Sequence, residues 1–136
     1  YHAARLATLE ARADGYDSAI LLTARGKVSE AAAACLFLVR DGVLVTPDRT
    51  SDILESVTRA TVLTLAGELG LRCEEREVDR TELYAAEEVF LCGTGQEVVA
   101  VTSVDRLRVG DGVPGPVTRR LQAAYEAVVR GTSETH

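Results

Sequence analysis

The side chains that could do chemistry in this 136-residue sequence are few and widely spread. His2 and His136 stand at the two ends, and no Ser-His-Asp set, no GxGxxG fingerprint and no cluster of metal ligands occurs between them. Cys35, Cys73 and Cys92 match neither zinc-ligand spacing nor a disulfide framework, and two of them fall in apolar, strand-like runs, so they read as buried free thiols. What remains is a set of short segments beside apolar strands. These are Glu30 with its following alanines, Leu54-Glu55-Ser56-Val57-Thr58-Arg59, and Gly93-Thr94-Gly95. Turns of this type can converge on one pocket.

The second segment has a physical logic of its own. Ser56, Val57 and Thr58 open a helix, and the free backbone N–H groups and dipole of a helix start favour a bound anion such as a phosphate. The simpler role for Ser56 is to cap that helix, and on local grounds alone the cap is favoured. Thr94 between glycines could donate its hydroxyl to a phosphate, or the triplet could be only a bulge or tight turn. Glu30 lies where a carboxylate usually faces solvent unless a cation meets it. None of these segments identifies a reaction by itself.

The elements that must position them follow from the pattern of apolar residues. Tyr1 to Ala13 reads as an amphipathic helix stopped by Gly15. Ser18 to Thr23 and Cys35 to Arg40 are strand-like, and Asp41-Gly42 is a strong hairpin signal leading into Val43 to Thr46. After a loop at Pro47 to Asp52, Val57, Val62, Leu65, Ala66 and Leu69 recur at helical spacing until Gly70. Leu71 to Asp79 is strand-like, Thr81 to Ala85 forms a helical turn capped by Thr81, and Glu88 to Cys92, Gln96 to Ser103 and Leu107 to Val109 are further strands. A last helix opens at Gly115-Pro116-Val117-Thr118 and runs to about Arg130, with a frayed tail over 131–136. Hairpins and helices in this order indicate an α+β fold with a largely antiparallel or barrel-like sheet.

Composition sets outer limits. The length suits one domain, expected over 1–130. A net charge of -6 with scattered arginines opposes a nucleic-acid partner, because phosphate backbones are met by clustered Lys and Arg. No apolar stretch of about 18 residues is present to span a membrane. Without a signal-peptide pattern, the cytoplasm is the default compartment. A chain that opens on Tyr1 and holds no methionine is expected to have been processed, split or truncated.

Taken together, the segments resemble the class-IV aminotransferase family, which includes branched-chain aminotransferases, D-amino acid aminotransferases and aminodeoxychorismate lyases. The resemblance runs from Tyr1 to about Arg130. It rests on Gly26-Lys27-Val28-Ser29-Glu30, on Leu36-Phe37-Leu38-Val39 with Asp41-Gly42-Val43-Leu44 and Thr46-Pro47, and on Leu54 with Val57-Thr58-Arg59. Glu68-Leu69-Gly70, the run Leu83 to Phe90, Gly93-Thr94, Gly110-Asp111-Gly112 and Gly115-Pro116-Val117-Thr118 continue it in order. The resemblance implies an α+β fold, the C-terminal domain of the fold-type-IV pyridoxal phosphate (PLP) enzymes, with a barrel-like mixed sheet flanked by helices.

It also implies roles. Glu30 would pair with the pyridine nitrogen of PLP, Ser56, Val57, Thr58 and Thr94 would form the phosphate cup, and Leu54 would pack against the ring. Tyr1 would hydrogen-bond the cofactor's phenolic oxygen, and Gly95 would help hold the substrate carboxylate. The lysine that anchors the cofactor would lie a few residues before Tyr1. Lys27, the only lysine in the sequence, falls in a turn and does not take that role. The implied partners are therefore an N-terminal half supplying the lysine and a phosphate-binding arginine, a small amino or keto acid substrate, and a second copy of the completed unit as a homodimer. Transamination is the implied reaction, with an aminodeoxychorismate-type lyase and a repurposed two-chain assembly as alternatives. One departure is Cys35, which follows Ala31-Ala32-Ala33-Ala34 where relatives show an Asn before the apolar strand.

Overall fold

The computed structural model describes residues 9–15, 19–23, 25–31, 34–48, 57–93 and 97–129, with backbone alone at 21, 30, 31 and 97. The chain begins with helical residues 9–13, the described part of the helix expected over Tyr1 to Ala13. Strands β1 (Ile20–Leu22) and β2 (Val28–Ala31) then form an antiparallel pair. Strand β2 replaces the turn expected around Glu30. Its Val28-Ser29-Glu30-Ala31 has no apolar run to announce it, and it is held by pairing to β1 and by a bond from Val28 N–H to the Val78 carbonyl at 2.8 Å.

Strands β3 (Cys35–Arg40) and β4 (Val43–Thr46) make the hairpin that Asp41-Gly42 announces. Both turn residues take positive φ, 52° and 78°, as a two-residue turn matched to strand twist requires. Helix α1 (Val57–Glu68) then carries the chain to β5 (Cys73–Glu75), which pairs parallel with β4. After α2 (Arg80–Ala85) come β6 (Glu88–Gly93) and β7 (Glu97–Val101), each antiparallel to its neighbour. A short hairpin of β8 (Ser103–Val104) and β9 (Leu107–Arg108) precedes α3 (Pro116–Val129), with Pro116 at its first position as expected. The main sheet has the order β5-β4-β3-β6-β7, so the fold is α+β with a mixed sheet and helices.

Several boundaries differ from the sequence reading. Strand β5 covers only the middle of Leu71 to Asp79, and the run Gln96 to Ser103 is broken between β7 and β8. Helix α2 is capped by Asp79, not Thr81, and the Glu82 carboxylate accepts from the Asp79 N–H at 2.8 Å. Asp79 is held there by a bridge with Lys27 beside the Val28–Val78 bond.

The central strands are buried on both faces, which explains their continuous apolar sequences. Leu36, Leu38, Val89 and Leu91 pack with Val28, Val45, Val78, Leu83 and Val109 on one face. Cys35, Phe37, Val39, Phe90 and Cys92 alternate onto the other, beneath Val62, Leu65 and Ala66 of α1 and Leu121 of α3. Phe37 and Phe90 stack there with centroids 5.0 Å apart. Among the described residues no helix is long and apolar enough to cross a membrane.

Candidate active site

Strand direction brings the described parts of the suspected segments, the start of α1 and Gly93, to one end of the sheet. Strands β4, β5 and β6 all run opposite to β3, so their C-terminal ends gather beside the start of β3. Cys35 faces Cys92 across the β3–β6 pair, and Gly93 faces Glu97 across β6–β7. The same end therefore holds the last residues of β4, β5 and β6, Thr46, Glu75 and Gly93. Ligands of open sheets lie outside the carboxyl ends of parallel strands, and β4–α1–β5 is a parallel crossover of that kind.

The start of α1 stands over this end. Thr58 and Arg59 are buried, while Val57 is 85% exposed. A helix start leaves its first N–H groups without intrahelical partners and carries partial positive charge. Arg59 adds a full positive charge in the first turn. Its Nη2 donates to the Pro47 carbonyl at 3.2 Å, just past β4, and to Glu75 Oε1 at 2.6 Å, at the end of β5.

The molecule contains a second helix start of the same composition that shows what such a site takes. Val57-Thr58-Arg59 opens α1, and Val117-Thr118-Arg119 opens α3 one residue after Pro116. At α3 the buried carboxylate of Glu88 accepts from the Val117 N–H at 3.2 Å, the Thr118 N–H at 2.8 Å and the Thr118 hydroxyl at 2.7 Å. Gly115 leaves room for it, since a Cβ there would fall 2.2 Å from Glu88 Cδ. A Val-Thr helix start thus closes on an anionic group through two N–H donors and a hydroxyl. The start of α1 carries the same donor types, the N–H groups of Val57 and Thr58 with the Thr58 hydroxyl, and a set of this kind fits a phosphate.

The expected site residues fall into two groups. The backbone of Glu30 in β2 and the residues Val57 and Thr58 belong to described elements, at or leading to this end of the sheet. Tyr1, Leu54, Ser56, Thr94 and Gly95 lie outside the described residues. Lys27 precedes β2 and is paired with Asp79, whose hydrogen bond and charge push its ammonium above the usual lysine range and keep it protonated. Cys35 and Cys92 are buried thiols outside any disulfide, as expected, whereas Cys73 is half-buried. The hydrogen bond with Cys35, followed by burial, pushes the Cys92 thiol far up and makes it unreactive. Nothing in the sequence alone singles out Arg59. The repeated Val-Thr-Arg triplet was visible, but not that one arginine of the pair is buried.

The comparisons with known proteins agree with this geometry. Residues 1–104 match the family model described as amino-transferase class IV. The branched-chain-amino-acid aminotransferase of Escherichia coli is 44% identical over 134 residues, covering 98% of this chain and 43% of that protein. A probable branched-chain-amino-acid aminotransferase of Aquifex aeolicus is 45% identical over 93% of this chain and 41% of its own length. Among solved structures, the branched-chain amino acid aminotransferase from Thermobaculum terrenum in its PLP form superposes with a TM-score of 0.95 at 52% identity, over 98% of this chain and 44% of that one. The chain spans less than half the length of these relatives. With its fold, the anion-ready start of α1 and this ordered similarity, the chain belongs to the class IV aminotransferases.

Proposed function

We propose that this chain is the C-terminal part, over 1–130, of a PLP-dependent branched-chain amino-acid aminotransferase, completed by an N-terminal segment that carries the cofactor-anchoring lysine. The observation behind the reading is the pair of Val-Thr helix starts, one closed on the Glu88 carboxylate and the other, of the same composition, at the end of the sheet. When bound, PLP supplies an aldehyde carbon that accepts the amino group and a ring that draws electrons from the substrate's alpha carbon.

In this reading the chain's own residues bind and orient. The first N–H groups of α1, the Thr58 hydroxyl, Ser56 and Thr94 hold the phosphate. Glu30 keeps a proton on the pyridine nitrogen, which preserves the ring's electron-drawing power. Leu54 packs on the ring, Tyr1 meets its phenolic oxygen, and Gly95 helps seat the substrate carboxylate. This chain has no lysine placed to move the alpha proton, since Lys27 is committed to Asp79, so turnover requires the N-terminal segment. The completed unit is proposed to work as a cytoplasmic homodimer on a branched-chain amino acid and a 2-oxo acid.

The direct test is to prepare the chain together with the preceding segment and follow its visible absorbance. A yellow preparation bleached by a branched-chain amino acid and restored by a 2-oxo acid is expected. A preparation that takes up PLP yet is not bleached by any amino acid would overturn the transaminase reading.

A further inference from the structure

The two Val-Thr-Arg triplets differ at their third residue in a way that the anion-binding logic does not require. Arg119 of α3 is exposed, and in the first turn its backbone N–H bonds to the Gly115 carbonyl at 3.0 Å. Arg59 of α1 is turned inward, its side chain 10% exposed, and its Nη2 spans the Pro47 carbonyl and Glu75. A guanidinium is a rigid fork, so partners on two strand ends fix the helix that bears it. Pro47 follows β4 and Glu75 ends β5, the two parallel strands that α1 connects.

We infer that Arg59 is the positioning residue of the phosphate cup, clamping the first turn of α1 to the ends of β4 and β5 so that the N–H groups of Val57 and Thr58 face the anion. The inference rests on the phosphate-cup reading above and assigns a role within it.

Helix α3 shows why α1 needs such a device. The start of α3 is held by the very carboxylate it binds, because Glu88 belongs to β6 and is always present. The start of α1 receives its anion from solution, so its geometry must be set before the ligand arrives. Preorganised donors bind more tightly because their ordering cost is met in folding. Arg59 also lies close enough to β6 for its charge to act on the Cys92 thiol, which it draws downward against the stronger upward influences. Glu75 tempers that charge, but it is half exposed while the guanidinium is buried.

The test compares two ligands that differ only in the phosphate. Dissociation constants for PLP and for pyridoxal are measured on the chain joined to its lysine-bearing segment, as wild type, Arg59→Met, Arg59→Lys and Glu75→Gln, with thermal unfolding recorded for each. Arg59→Met is expected to weaken PLP by roughly tenfold or more, the size of one lost charge-assisted interaction, and to change pyridoxal by less than about twofold. Arg59→Lys should recover part of the loss, and Glu75→Gln should produce a smaller loss with the same selectivity. Parallel weakening of PLP and pyridoxal would show a merely structural arginine and overturn the inference, as would unchanged PLP affinity. If Arg59→Met fails to fold, the Arg59→Lys and Glu75→Gln pair decides by the same ratio. A wild type that binds pyridoxal as tightly as PLP removes the phosphate cup itself and the inference with it, an outcome visible before any variant is read.

Discussion

Thr118 and Thr58 hold equivalent places in two helix starts, each buried in the first turn of its helix. The Thr118 hydroxyl donates to a buried carboxylate, so Thr118→Val leaves Glu88 short of one partner. The expected cost is about 1–3 kcal/mol in a urea unfolding experiment, with the fold retained, because a buried acceptor that loses a donor keeps its desolvation penalty. At Glu30 the expectation concerns chemistry. Glu30→Gln in the completed enzyme should leave PLP bound and depress turnover, and unchanged turnover would contradict the pairing with the pyridine nitrogen. At this scale the sequence supplied the candidate residues but not their surroundings. The triplets Val57-Thr58-Arg59 and Val117-Thr118-Arg119 are identical as text, and only the neighbours Pro47, Glu75 and Glu88, brought in by strand pairing, make them different.

Among the elements, those with a local signal were legible. The β3–β4 hairpin follows from Asp41-Gly42, and α1 from its apolar spacing and Gly70, whose φ of 78° ends the helix. Strand β2 was not legible, because Ser29 and Glu30 break any apolar run and its existence depends on β1 and on Val78. The cap of α2 was misread because Asp79 and Thr81 are both good caps, and a distant bridge to Lys27 selects the former. That cap has a pH signature. The hydrogen bond from Arg76 holds the Glu82 carboxyl below its ordinary value of 4.5 against the opposing pull of burial, with the Asp79 N–H and the charges of Arg76 and Arg40 assisting. A carboxyl lowered in the folded state contributes stability that is present above its unfolded value and lost as pH falls through the folded one. Chemical unfolding midpoints should therefore drop on acidification from about pH 5 downward, and Glu82→Gln should begin lower at neutral pH and decline less steeply. Equal slopes in the two proteins would exclude Glu82 as a contributor.

The whole molecule buries its central sheet on both faces yet leaves Leu9, Leu22, Val57, Leu107 and Val113 exposed. The chain spans less than half the length of its relatives, and the N-terminal segment proposed above is expected to cover such side chains. Light scattering should show the chain self-associating when alone and forming a defined complex once the N-terminal segment is supplied, and a monodisperse monomer would contradict this. Thiol labelling probes the same question from inside. Cys73 should react first, while Cys35 and Cys92 should stay silent until the sheet opens. The strand order β5-β4-β3-β6-β7 also bears on how this chain folds. The hairpins β3–β4 and β6–β7 can each close locally, whereas joining them along β3–β6 closes a loop that contains all of α1, β5 and α2. Folding is thus expected to be a docking of two preformed hairpins, slowed by Gly42→Val, which should lower the folding rate more than it raises the unfolding rate. The end of the sheet that gathers α1, β3 and β6 would then exist only after that docking, so a nascent chain is expected to gain the proposed phosphate cup late, as a product of the slowest step.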